Sequence, residues 1–109
     1  VFGCGGNRDR TKRPAMGSIA AELADYSIVT SDNPRNEDPA QIIAEVRQGF
    51  GNAAHVEVRE DRAEAIQRAV ELAAKGDIVL IAGKGHENFQ EFANRSIPFD
   101  DRQVVKRYL

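Results

Sequence analysis

The sequence has few of the residues that stabilise secreted or membrane proteins. It contains one cysteine, Cys4, and no tryptophan, and aromatic residues make up only 6% of its 109 residues. A lone cysteine forms no internal disulfide and offers no thiol pair for a metal, which favours a reducing compartment. No apolar run approaches the roughly 20 residues that a membrane helix requires, and no signal peptide is recognisable. We therefore expect a cytoplasmic protein that neither spans a membrane nor is secreted.

Charge of neither sign dominates. The 15 Lys and Arg residues nearly balance the 17 Asp and Glu residues, so the net charge is -2. Dedicated nucleic-acid-binding domains usually carry a basic excess, and we expect no nucleic-acid partner. With 41% hydrophobic and 29% charged residues, the chain has the composition of one globular domain and not of a disordered segment.

The pattern of apolar residues predicts alternating strands and helices, an α/β fold with a doubly wound, mainly parallel, Rossmann-like sheet. Val1–Cys4 has the character of a strand already entering its turn, which suggests a fragment. The next predicted elements are a helix from Pro14 with an apolar stripe of Met16, Ile19 and Leu23, a strand at 26–30 and a helix capped by Asp38. They are followed by a strand at 55–59, a helix from Asp61 to Gly76 and a doubly buried strand at Ile78–Ala82. The last elements are an antiparallel hairpin turning at Asn94–Ser96 and a helix from Asp100 that buries Val104, Val105, Tyr108 and Leu109.

Ligands in such folds bind beyond the carboxyl ends of the strands, where the first candidate is the glycine-rich loop Gly3–Arg13. Four basic residues against Asp9 give this loop an excess of +3, although it lacks the dinucleotide fingerprint and the P-loop. It either binds an anion or places its arginines against carboxylates elsewhere in the chain. Both interpretations stay open at this point.

Two further strand-end segments carry groups suited to a small zwitterion. Asp32-Asn33-Pro34-Arg35 combines acceptors for an ammonium with a guanidinium that pairs with a carboxylate, and the alternative is an ordinary turn. In Gly83–Glu87, glycines allow close approach of a ligand and Glu87 could hold a cationic group; the alternative is a plain glycine turn. His55 and His86 lie far apart without carboxylates at ligand spacing, so we expect no metal site, and Cys4 has no visible catalytic base.

Three motifs in register resemble the C-terminal domain of the Mur ligases. They are Gly5-Gly6-Asn7-Arg8-Asp9 with Lys12-Arg13-Pro14, Ser31–Arg35 with Glu37-Asp38-Pro39, and Gly83-Lys84-Gly85-His86-Glu87. The resemblance implies a ligase of bacterial cell-wall precursor synthesis that uses ATP and Mg²⁺ and forms an acyl phosphate. The Asp-Asn-Pro-Arg motif is similar to that of members that add meso-diaminopimelate to UDP-N-acetylmuramoyl-L-alanyl-D-glutamate.

The resemblance also implies roles for particular residues. Residues 1–109 would form a C-terminal, amino-acid-binding domain truncated at its N-terminus, without the N-terminal and central domains that mainly bind the UDP-linked substrate, ATP and Mg²⁺. No catalytic residue and no metal ligand is expected in this domain. The residues expected to bind diaminopimelate are Arg8, Asp32, Asn33, Pro34, Arg35, Gly83 and Glu87, and those expected near the nucleotide are Asn7 and Lys12.

Other interpretations remain open. The chain would also suit a stand-alone α/β module that binds a small anion or serves regulation. Within the ligase superfamily, the C-terminal domain of a lysine-adding ligase or of a folylpolyglutamate synthetase would share the fold, but neither accounts as well for Asp32–Arg35.

Overall fold

The computed structural model describes residues 1–109 as four helices packed around short parallel and antiparallel strands. The predicted α/β class is confirmed, with a parallel pair followed by an antiparallel hairpin. In chain order the elements are α1 (Lys12–Leu23), β1 (Ser27–Val29), α2 (Pro39–Gln48), β2 (Val56–Val58), α3 (Arg62–Leu72), β3 (Phe89–Glu91), β4 (Ser96–Pro98) and α4 (Asp101–Tyr108).

The sheet extends beyond its two regular parallel strands. β1 pairs with β2, and Phe2 forms a parallel bridge to Val29 on the other side of β1. Val1 in turn donates from its ammonium to the Leu80 carbonyl (2.8 Å) and accepts from the Ala82 N–H (2.9 Å). These two bonds follow the pattern of a parallel pair. The segments therefore lie in the order 78–82, 1–2, β1, β2.

This order contains a reversal of direction on either side of Val1–Phe2. From Val1–Phe2 the chain moves outward through β1 and β2, and Ile78–Ala82 then returns to the opposite side of Val1–Phe2. The loops that follow these two segments consequently leave the sheet in different directions. Doubly wound sheets bind ligands at such a switch point, beyond the carboxyl ends of the strands.

Ile78–Ala82 differs from the doubly buried strand that the sequence predicts. Ile78 is 93% exposed and Leu80 is 72% exposed. The backbone of the segment pairs with only one other strand segment, at Val1, and it faces an apolar groove of about 720 Å³ that also includes Ile19 and Leu23. The long apolar run correctly indicated a place in the sheet, but it did not show which surfaces are covered in this chain.

The predicted apolar stripe of α1 is likewise not buried. Met16, Ile19 and Leu23 are all exposed on the groove side, whereas the buried residues of α1 are Arg13 and Gly17. The reason is that α1 packs against α2 through its opposite side. The helix also begins at Lys12, two residues before Pro14.

The compact core lies between β1 and α2. It consists of Val29, Ile43, Val46 and Phe50, each at most 5% exposed. Asp38 begins α2 as predicted, since its side chain accepts from the Ala40 N–H (3.0 Å). Burial of these apolar side chains is the main force that holds the α2 layer against the sheet.

The remaining elements agree with the sequence except at their ends. Asp61 and Asp100 cap α3 and α4 as predicted, but α3 ends at Leu72, before the expected stop at Gly76. The hairpin forms with β3 antiparallel to β4. In α4, Val104 is buried but Leu109 is 88% exposed, contrary to prediction. No helix is both long and apolar enough to cross a membrane.

Candidate functional site

The three motif-bearing loops meet at the switch point of the sheet. The Gly6 N–H donates to the Asn33 carbonyl (2.7 Å), and Arg35 Nη1 donates to the Gly6 carbonyl (2.9 Å). From the third loop, Lys84 Nζ donates to Asn33 Oδ1 (2.8 Å). Residues 5–8, 31–35 and 83–87 therefore form one unit, which we call the three-loop cluster.

Asn33 lies at the centre of the three-loop cluster and is buried. Its Oδ1 accepts from Lys84 Nζ and from the Glu91 backbone N–H (3.0 Å). Since both partners can only donate, the orientation of the amide is fixed, and Nδ2 donates to Glu87 Oε1 (3.2 Å). Asn33 thus offers an N–H and no free oxygen to the site, which corrects the idea that its oxygen accepts from a ligand ammonium.

Asp32 and Glu87 supply the acceptors of the three-loop cluster. Asp32 Oδ1 lies 3.3 Å from Lys84 Nζ but accepts no hydrogen bond, although this atom is buried. Glu87 Oε1 lies 3.4 Å from the same Nζ, and the Glu87 side chain remains 37% exposed. A buried acceptor without a donor is unfavourable, and the nearby Lys84 ammonium offsets this cost for Oδ1. A ligand ammonium would reach Asp32 through Oδ2, which is not buried.

Arg35 supplies the group that can bind a carboxylate. Its Nε donates to Glu91 Oε2 (2.9 Å) and its Nη1 to Gly6, while its Nη2 makes no hydrogen bond within the chain. The backbone of Arg35 has a φ of 54°, a conformation uncommon for a residue with a Cβ and frequent at binding sites. Pro34 is buried, and its carbonyl accepts from the Glu37 N–H (3.1 Å), which closes the turn.

Arg8 and the two predicted nucleotide-binding residues lie on the surface of the first loop. Arg8 is exposed and donates only to the carbonyl of Asn7 (3.3 Å). Asn7 itself is fixed through its backbone N–H, which donates to Glu37 Oε2 (2.6 Å). Lys12 is exposed at the start of α1. The structure therefore leaves these three side chains outside the packed centre of the cluster.

The basic excess of the first loop is largely neutralised within the chain. Arg13, buried, pairs with Glu37 (2.8 Å) and Glu45 (3.3 Å), and Arg10 pairs with Glu45 (2.7 Å). Hydrogen bonds from Arg10 and from Gln41 lower the pKa of Glu45 to about 2. For Arg10 and Arg13, the interpretation as partners of carboxylates elsewhere is the correct one.

The other candidate side chains show no arrangement for catalysis. Cys4 Sγ lies 3.4 Å from Met16 Sδ, and burial raises the pKa of the thiol, which lowers its reactivity at neutral pH. His55 packs near Tyr26, and His86 is exposed. No group of three or more His, Cys, Asp or Glu residues is placed to hold a metal ion.

Sequence reasoning missed three residues that organise the cluster. Lys84 is buried at its centre, Glu91 holds Arg35, and Arg62 donates to the carbonyls of Ser31 in the second loop and of Ala82 just before the third (both 3.2 Å). Lys84 could have been found, since it follows an apolar strand directly. Glu91 could not, because its position depends on the docking of the hairpin.

Comparison with known proteins agrees with this geometry. Residues 1–85 match the family described as Mur ligase, glutamate ligase domain. The chain belongs to the Mur ligase family. The match covers the first two loops of the cluster and reaches residue 85 in the third.

Among the relatives of this Mur ligase domain are two named UDP-N-acetylmuramoyl-L-alanyl-D-glutamate--2,6-diaminopimelate ligase. The one from Prochlorococcus marinus is 55% identical over the whole chain, and the one from Rickettsia prowazekii is 53% identical over the whole chain. A solved structure of a ligase of the same name superposes with a TM-score of 0.93 at 51% identity, over 99% of this chain and 22% of that chain. The chain spans about a fifth of the length of these relatives, 22% of each.

Proposed function

We propose that this chain is the amino-acid-binding domain of an ATP-dependent ligase that adds meso-diaminopimelate to UDP-N-acetylmuramoyl-L-alanyl-D-glutamate. The observation that carries the proposal is the three-loop cluster, which places acceptors and a guanidinium side by side at the switch point. The relatives named above bear the name of this reaction. The domain assignment of residues 1–109 and its site residues belong to the same proposal.

The charges of the cluster suit a ligand with a carboxylate and an ammonium at each end. Arg35 would pair with a carboxylate through its unused Nη2, and Arg8 would reach the same ligand from the exposed loop. Asp32 and Glu87 would accept from an ammonium, while Asn33 donates. Gly83 lies next to Asp32 in space. Because Gly83 has no side chain, it would leave room for the ligand and complete the proposed pocket.

Binding of diaminopimelate over lysine follows from the same contacts. Lysine has no second carboxylate, so it would leave a guanidinium of the site without its partner. A site built to hydrogen-bond a group rejects the analogue that lacks it, since the unpaired polar atom is left desolvated. We therefore favour a diaminopimelate-adding enzyme over a lysine-adding one.

In the proposed reaction this domain binds and orients the amine but holds no catalytic residue. The ligand amine attacks the carbonyl carbon of an acyl phosphate formed from ATP; the C–N bond forms, phosphate leaves, and the amine loses a proton. No group of three or more His, Cys, Asp or Glu residues in this chain is placed to hold a metal ion, and no step is assigned to a metal here. ATP, Mg²⁺ and the UDP-linked substrate would be held mainly by other domains, with Asn7 and Lys12 facing the nucleotide. Such a ligase would work in the bacterial cytoplasm.

The direct test is an amide-forming assay on the full-length ligase. ATP consumption and product mass should depend on meso-diaminopimelate, with little product from lysine or glutamate. In a thermal-shift series with the same three amino acids, only diaminopimelate should raise the unfolding temperature of the protein. Equal turnover of lysine would contradict the proposed selectivity, and no product with any amino acid would contradict the proposed function.

A further inference from the structure

Lys84 is the most deeply buried charged group of the three-loop cluster, and its side chain is fully excluded from solvent. Its ammonium lies within 3.4 Å of four oxygens, those of Asn33, Asp32, Glu87 and the Phe89 carbonyl. Three of these partners are proposed ligand-binding residues. We propose that Lys84 is a positioning residue that fixes the Asn33 amide and holds Asp32 and Glu87 ready for the ligand. This inference rests on the proposed function.

Burial makes the position of the Lys84 ammonium well determined. Moving an ammonium out of water is unfavourable unless charged and hydrogen-bonding partners surround it. Nζ donates to Asn33 Oδ1 and to the Phe89 carbonyl at 2.8 Å each and to Glu87 Oε1 at 3.4 Å, and Asp32 Oδ1 lies 3.3 Å away. An ammonium has three protons to donate, so these contacts use its full capacity. Lys84 has none left for a ligand and acts through its neighbours.

The first consequence concerns the orientation of Asn33. With Lys84 present, two donors face Oδ1, and Nδ2 is directed to Glu87. Without Lys84, rotation of the amide would be opposed only by the Glu91 backbone N–H and by the partly exposed Glu87 carboxylate. The Asn33 donor would then be held less firmly in one direction.

The second consequence concerns the two carboxylates. Asp32 and Glu87 both lie beside the same Nζ, which offsets their mutual repulsion while no ligand is bound. Removal of that charge would leave two carboxylates close together, with Asp32 Oδ1 buried. Their repulsion would favour displacement of Glu87, which is the more exposed of the two. The ligand would have to restore the geometry on binding, which weakens its affinity.

Kinetics of the full-length ligase can separate positioning from simple structural support. In Lys84→Met, KM for diaminopimelate should rise by about tenfold or more while KM for ATP and for the UDP-linked substrate change by less than about twofold. Lys84→Arg, which retains a cation and donors, should recover part of the loss. Exposed Lys75→Met serves as the matched control and should behave as the parent enzyme.

Asn33→Asp tests the inferred orientation without removing Lys84. The new carboxylate could still accept from Lys84, but its second oxygen would face Glu87 and could not donate, so KM for diaminopimelate should again rise by about tenfold. Lys84 is proposed to act through Asn33. KM for diaminopimelate in the double variant Lys84→Met, Asn33→Asp should therefore rise by much less than the product of the two single increases. If Lys84→Met does not fold, the single variant Asn33→Asp together with Lys84→Arg still tests the inferred orientation.

The outcomes distinguish the inference from the proposed function. An unchanged diaminopimelate KM in Lys84→Met, an equal rise for all three substrates, or independent effects in the double variant would overturn the positioning role. Normal diaminopimelate binding by Asn33→Asp would overturn the orientation. If the parent ligase itself does not use diaminopimelate, the proposed function fails, whatever the role of Lys84.

Discussion

Arg62 and Asp101 form a two-point ion pair inside the domain. Arg62 Nε lies 2.7 Å from Asp101 Oδ1 and Nη2 lies 2.8 Å from Oδ2, and the two side chains are only 0% and 8% exposed. The same guanidinium donates to the Ser31 and Ala82 carbonyls. The start of α3, the start of α4 and two strand ends are therefore joined by one side chain.

Loss of this pair should destabilise the chain strongly. Asp101→Ala leaves the Arg62 charge buried and unpaired, and we expect the free energy of unfolding to fall by about 3–5 kcal/mol. Denaturant unfolding monitored by circular dichroism measures the change. Arg102→Ala, which removes an arginine that is 66% exposed, is the control and should change the free energy of unfolding far less, because exposed ion pairs contribute little. Similar losses in both variants would argue against a special role for the buried pair.

Arg35→Ala should impair use of diaminopimelate by the full-length ligase. Removing the guanidinium eliminates the proposed carboxylate contact and also frees Glu91, so KM for diaminopimelate should rise by about two orders of magnitude, in line with a charged hydrogen bond of roughly 1.5–3 kcal/mol plus lost positioning. Steady-state kinetics with varied diaminopimelate provide the measurement. The exposed Arg107→Ala should leave KM unchanged. Parent-like kinetics of Arg35→Ala would disprove the assignment.

Gly6→Ala should separate the first loop from the Asp32–Arg35 turn. A Cβ on Gly6 would overlap the Pro34 carbonyl, whereas a Cβ on Gly51 would meet no atom within 4 Å. We expect Gly6→Ala to lower stability by about 1–3 kcal/mol as overpacking does, and to weaken diaminopimelate use. Gly51→Ala, at a φ of 57°, should be strained by about 1–2 kcal/mol but should leave substrate KM intact. Thermal unfolding and kinetics of both variants check this difference.

Acid should remove the contribution of Glu45 to stability. Arg10 and Gln41 donate to Glu45 and lower its pKa from 4.5 to about 2, so the unfolded chain binds this proton more readily than the folded one. The stabilisation is therefore complete above about pH 4.5 and is lost as the pH falls toward 2. The difference in unfolding midpoint between the parent chain and Glu45→Gln should be constant from pH 7 to pH 5 and shrink below that. A constant difference down to pH 2 would exclude this linkage.

The 109-residue chain alone should bind diaminopimelate weakly or not at all. Arg8 lies exposed and away from the centre of the cluster, and we expect tight binding to require closure against the rest of the ligase. Isothermal titration of the chain with diaminopimelate is the test, with the full-length ligase as the positive control. Equally tight binding by both would show that the pocket is complete within these residues.

Local sequence signals predicted the element order well. Asp38, Asp61 and Asp100 each cap a helix as expected, because capping depends on residues within one turn. The burial of whole faces was predicted less well, since Ile78–Ala82 and the stripe of α1 lie open in this chain. Periodicity shows that a face is apolar, but only the packed neighbours decide whether it is covered.

The same distinction holds at the candidate site. The motifs at 5–8, 32–35 and 83–87 are visible as sequence because strand ends and turns have local signatures. Their convergence through Lys84 and Asn33, and the internal use of Arg10 and Arg13, depend on contacts between residues far apart in the chain.

Local residue patterns are enough to predict the α/β class, the starts of α2, α3 and α4 and the residue types available at each strand end. Which charges are left for a ligand depends on the folded structure. Arg13 is neutralised by Glu37 and Glu45, whereas Arg35 donates to Glu91 through Nε and retains an unused Nη2. This difference arises because hydrogen bonds and burial are shared among residues far apart in the chain. A side chain's free donors and acceptors are therefore known only when all its neighbours are in place.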